Sequence, residues 1–133
     1  MKTPDEIRHE YVGKWLEKAS NDLMAAEHLL SVSGLSDIIC FHSQQAVEKF
    51  LKAVLAHQQV EIPKTHDLEA LLELTGLGEA EMGISLDDIT TLTRYSAEAR
   101  YPVNLPMLNV EDANNALEIA KKVQFAISKV LGF

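Results

Sequence analysis

Apolar residues recur at spacings of three and four along most of the chain. The aromatic and β-branched runs expected of strands are missing, so the pattern predicts helices throughout. Trp15, Ala19, Leu23, Ala26, Leu29 and Leu30 make the first apolar stripe, on a helix over about residues 7–31 that Gly34 stops. In the next segment, from about Ser36 to Gln59, Ile39, Ala46, Val47, Phe50, Leu51, Ala53, Val54 and Leu55 cover more than half of a helical wheel. A helix with so broad an apolar arc is central to its domain. Its remaining strip carries His42, Gln45, Glu48, Lys49 and Lys52, while Ser43 and Gln44 fall inside the arc and need hydrogen-bond partners where buried.

Pro63 interrupts the pattern, and Thr65, His66 and Asp67 then supply N-cap candidates for a short helix bearing Leu68, Leu71, Leu72 and Leu74. Gly76, Gly78 and Gly83 mark a loop. Ser85 and Asp88 have the form of a capping box, with Ile84 and Ile89 at the staple positions, so a helix runs from about Leu86 to Ala99. Pro102 and Pro106 make Tyr101 to Asn109 an extended connection. Asn109 and Asp112 open a last helix, whose apolar face runs from Ala113 to Leu131 before Gly132 ends it. The expected architecture is all-α, an up-and-down antiparallel bundle of about five helices forming a single domain over residues 1–133.

Composition narrows the chemistry. A chain of 133 residues with 47% hydrophobic and 24% charged residues is long enough to bury a core without disulfides or a metal. Cys40 is the only cysteine, which suits a reducing cytoplasm and reads as a small buried apolar group. The charged N-terminus lacks a signal-peptide core, and no stretch approaches the ~18 apolar residues of a membrane span. A cytoplasmic protein without a membrane partner is expected. The net charge of -8 opposes broad attraction to phosphate backbones, so any nucleic acid needs a local basic patch. The five histidines show no metal-ligand spacing, and Gly76, Gly78 and Gly83 lie beside Glu79 and Glu81, which would repel phosphate; no metal or cofactor is expected.

Several words then stand in order: Trp15-Leu16-Glu17-Lys18-Ala19, Asp22-Leu23, Phe41-His42-Ser43-Gln44-Gln45-Ala46-Val47-Glu48-Lys49, Leu51-Lys52-Ala53, Lys64-Thr65-His66-Asp67-Leu68 and Ala99-Arg100-Tyr101-Pro102. Jointly they resemble the HEPN family, the higher-eukaryote and prokaryote nucleotide-binding domains, from about Trp15 to the final helix. The resemblance implies a helical bundle, often dimeric, often encoded beside a minimal nucleotidyltransferase in a toxin–antitoxin-like pair. It also implies that ribonuclease members carry an arginine followed, after four to six residues, by a histidine. Here Arg8 is followed at once by His9, and no histidine lies beyond His66, so neither Arg94 nor Arg100 completes that motif.

Arg100 and Tyr101, before Pro102, are candidates to grip a phosphate through a guanidinium fork and to stack on a base. Their structural alternative is an arginine paired with a helix carboxylate such as Glu48. The strip of Gln45, Glu48, Lys49 and Lys52 reads either as a nucleotide or subunit contact or as a solvated face, with Glu48 and Lys52 an i,i+4 pair worth ~0.2–0.5 kcal/mol. His66 reads as part of an anion-receiving helix start or of plain N-capping. Trp15 reads as a core anchor. The expected function is a non-catalytic module, homodimeric, that binds a minimal nucleotidyltransferase and holds a nucleotide or RNA phosphate near Arg100. Two alternatives stay open: a metal-independent ribonuclease toxin in which Arg94, Arg100 and His66 meet in space, and a homodimeric adaptor.

Overall fold

The computed structural model describes residues 1–96 and 107–133. Arg100, Tyr101 and the expected extended connection around Pro102 and Pro106 lie outside the described residues, apart from its last three positions. Among the described residues six helices follow one another: α1 (Pro4–Leu29), α2 (Ser36–His57), α3 (Leu68–Thr75), α4 (Glu79–Met82), α5 (Leu86–Thr93) and α6 (Val110–Leu131). No strand occurs among the described residues.

Local chemistry sets the starts. Thr3 caps α1, accepting from the Glu6 amide at 3.1 Å, and Pro4 opens the helix without needing an amide partner. This start lies several residues before the expected one, because the apolar stripe begins only at Val12 while the cap is purely polar. Ser85 with Asp88 and Asn109 with Asp112 form reciprocal capping boxes, the first as expected from the sequence. Asp67 accepts from the amides of Glu69 and Ala70 and so caps α3. α5 stops at Thr93 rather than running to Ala99, and the stretch expected as a glycine loop holds the single-turn α4. Gly78 precedes that turn and Gly83, at φ 70°, closes it in the left-handed region.

α2 is the hub. It packs along α1 on one side and α6 on the other, and also touches α3 and α5. Trp15 beside Lys52 and Asp22 beside His42 and Lys49 show that α1 and α2 run antiparallel. Stacking of His9 on Phe133, with ring centroids 4.5 Å apart, sets α6 antiparallel to α1. Phe50, Leu51, Val54 and Leu55 of α2 join Leu23, Leu68, Leu71, Ile89, Leu92, Val123 and Ile127 in one buried core. Trp15 is not in it. Its half-buried indole packs against a small satellite cluster of Val12, Ala53 and Ala56.

At the end of α2, Gln59 takes φ 60°, and the Val60 amide reaches back to the Leu55 carbonyl at 3.0 Å. That closure turns the chain toward His66.

Candidate functional site

The polar strip of α2 is not a solvated face. Glu48 and Lys52 are 4% and 8% exposed, and the Lys52 ammonium lies 3.1 Å from Glu48 Oε2. An exposed i,i+4 pair was one reading of the sequence; α1 and the 62–67 connection cover it instead. Burying two charges is costly unless they are paired and further hydrogen-bonded, and here both conditions hold. Glu48 Oε1 lies 2.8 Å from His66 Nδ1 and 3.3 Å from Gln44 Nε2. An ionised carboxylate only accepts, so the proton of this contact sits on His66 Nδ1 and fixes the ring's orientation.

Gln44 satisfies its place inside the apolar arc by serving the same network. Its Nε2 also donates to the His66 carbonyl at 3.3 Å, and its Oε1 accepts from Gln45 Nε2 at 2.7 Å. Gln45, Glu48, Lys52 and His66 are thereby brought together. Ser43 Oγ, equally buried, has no hydrogen-bond partner among the described residues. Lys49 points elsewhere: its ammonium is 2.5 Å from Asp22 Oδ2, while the other Asp22 oxygen lies 2.9 Å from His42 Nδ1. Asp22 thus joins α1 to two positions of α2 one heptad apart. It was not among the expected site residues, because a contact across 20 and 27 residues leaves no local spacing to read.

Arg94 caps the end of α5 and is exposed. The Leu68 amide donates to Thr93 Oγ1 at 3.2 Å, which brings the end of α5 to the start of α3, two residues from His66. On the α1 side, the Lys52 ammonium lies 5.8 Å from the centroid of the Trp15 ring, a cation–π contact that extends the network across the seam. Among the described residues no group of three or more His, Cys, Asp or Glu is placed to hold a metal ion, and no helix is long and apolar enough to cross a membrane.

Cys40 is fully buried at the α2 start, and burial, with the charges of Asp112 and Asp37 nearby, pushes its thiol up to about 12. Such a thiol stays protonated at neutral pH and is no nucleophile.

The HEPN domain family model matches residues 12–129. No curated protein matches the chain. Among solved structures, that of TT1696 from Thermus thermophilus superposes with a TM-score of 0.73 at 25% identity, covering 89% of this chain and 96% of that one. ST0689, described as an archaeal HEPN homologue, superposes with a TM-score of 0.71, also at 25% identity, over 90% of this chain and 97% of its own. The bundle centred on α2, the two solved structures and a family match across nearly the whole sequence agree: this chain belongs to the HEPN family.

Proposed function

We propose that this chain is a non-catalytic HEPN module, a cytoplasmic homodimer that pairs with a minimal nucleotidyltransferase and holds a nucleotide or RNA phosphate beside Arg100. The observation that carries this reading is the buried Glu48 carboxylate with its three donors, Gln44, Lys52 and His66. A carboxylate so engaged anchors groups and has little capacity left to move protons. It holds His66 two residues before Leu68, whose amide donates to Thr93 at the end of α5, with Arg94 next in the chain and Arg100 further on in sequence. Fixed side chains beside the end of α5 suit a site that binds, where the arginines of that region supply the charge for an anion. The missing spacing of four to six residues between an arginine and a histidine supports binding over cleavage.

The test is to incubate the purified protein with total RNA without metal, then pass it over a sizing column with and without a minimal nucleotidyltransferase. RNA left intact and co-elution with the transferase are the expected results. Cleavage would instead favour the ribonuclease alternative, and a transferase that elutes separately would remove the pairing.

A further inference from the structure

Phe125 is 68% exposed on α6, and Lys121, Lys122 and Lys129 stand at i−4, i−3 and i+4 from it, on the same face of the helix. The Lys129 ammonium lies 5.3 Å from the centroid of the Phe125 ring. This face borders a groove of about 760 Å3 between α4 and α6, where Glu81 and Glu118 also stand. Glu118 lies 3.9 Å from Lys122, while Lys121 and Lys129 form no ion pair within 4 Å among the described residues. Three cations against two carboxylates leave the face positive on a chain of net charge -8.

At the start of α4 a second hollow opens, of about 460 Å3, lined by Leu72, Leu77 and Leu86 together with Glu69, Glu73 and Glu79. No cation lines it among the described residues. Leu86 is 51% exposed there. Glu69 accepts from the Thr90 hydroxyl, while Glu73 and Glu79 form no ion pair within 4 Å among the described residues. The chain thus carries an apolar ring among lysines and an apolar hollow among glutamates, both beside the four residues of α4.

We infer that two copies of the chain pair through this surface about a two-fold axis beside α4, Phe125 of one protomer seating in the leucine-lined hollow of its partner and the flanking lysines meeting the glutamates there. The inference rests on the homodimer reading above and gives that dimer its surface. A two-fold contact has to be self-complementary, because whatever one protomer offers its partner must accept, and the reverse. Phe125 and the hollow meet that condition in shape, since one projects where the other recedes. Charge then selects the occupant. Two chains of net charge -8 repel each other over most of their surface and attract only where unlike charges meet. Lysines around Phe125 and glutamates around Leu86 supply such a place twice in one closed pair. Seating the ring also takes exposed apolar surface out of water at the centre of the contact.

Light scattering and sedimentation of the full chain across micromolar concentrations give the dimer dissociation constant. Phe125→Ala should raise it about 30-fold or more, the scale of a central aromatic anchor. Lys121→Glu with Lys129→Glu sets carboxylates against carboxylates, and Glu73→Lys with Glu79→Lys sets ammonium groups against ammonium groups. Each double variant alone should therefore be monomeric. Mixed one to one, the two should form a heterodimer, because both contacts then pair unlike charges. All four positions are exposed, and recovery on mixing shows that both variants are folded. A mixture that stays monomeric while the unaltered chain is dimeric would overturn the reciprocal contact. A dissociation constant unmoved by all three variants would overturn the α4–α6 surface and leave the homodimer standing through another face. A monomer in the unaltered chain would overturn both this pairing and the homodimer, and leave Phe125 and the hollow to a different protein.

Discussion

Glu48 Oε1 and His66 Nδ1 stand 2.8 Å apart, although 18 residues of chain and the end of a helix separate them. This contact ties the connection after α2 back to the middle of α2. With Lys52 and Gln44 on the same carboxylate, it makes a buried polar junction within the bundle.

Removing the centre of that junction should be expensive. Glu48→Ala removes the carboxylate that faces the buried Lys52 ammonium and takes one contact from His66, and a loss of ~3–5 kcal/mol is expected in urea unfolding. Glu118, whose carboxylate lies 3.9 Å from the Lys122 ammonium on an exposed face of α6, gives the contrast. Glu118→Ala should change stability by no more than ~0.5 kcal/mol. Equal losses for both would mean that Glu48 is solvated.

Phe50→Ala should cost ~3–5 kcal/mol, because Phe50 is 2% exposed in the main core and its removal leaves a cavity between α2 and its neighbours. Trp15→Ala should cost clearly less, since the indole is half-buried against a three-residue cluster. Denaturant midpoints of the two variants measure the difference. A larger loss at Trp15 would place the tryptophan in the core that the spacing of the first stripe suggests.

The helices were legible because a 3.6-residue period leaves its mark on every apolar position, and the breadth of the α2 arc correctly named the hub. The start of α1 was legible too, in Thr3-Pro4 with Glu6, but only to a reading that begins from caps rather than from the apolar stripe. What could not be read was burial of the polar strip. A helical wheel orders residues around one axis and is silent about what covers them. The network around Glu48 depends on a connection that folds back over α2, and the pairing of Asp22 with His42 and Lys49 depends on the register of α1 against α2. Arg100 and Tyr101, the residues favoured from the sequence as phosphate and base contacts, lie outside the described residues.

Alkaline pH should destabilise the fold through Cys40. Its thiol is raised from an ordinary value of 9.0 to about 12 in the folded chain, so above pH 9 the unfolded chain releases a proton that the folded one retains. The stabilising contribution is complete below pH 9 and is lost as the pH climbs toward 12. Tyr95, whose phenol burial also raises, acts in the same direction from about pH 10. Urea unfolding of Cys40→Ala beside the unaltered protein should show a shallower alkaline decline in the variant. Parallel declines would assign the effect elsewhere.

Calorimetric titration of ATP and of a short RNA into the unaltered protein and into Arg100→Ala, with thermal unfolding of both, tests phosphate binding most directly. Affinity should fall by ~1.5–3 kcal/mol in the variant while the melting curve stays in place, as expected for loss of a charge-assisted hydrogen bond. A variant that melts several degrees lower yet binds both ligands as tightly as before would contradict the phosphate-holding role and assign Arg100 to the fold.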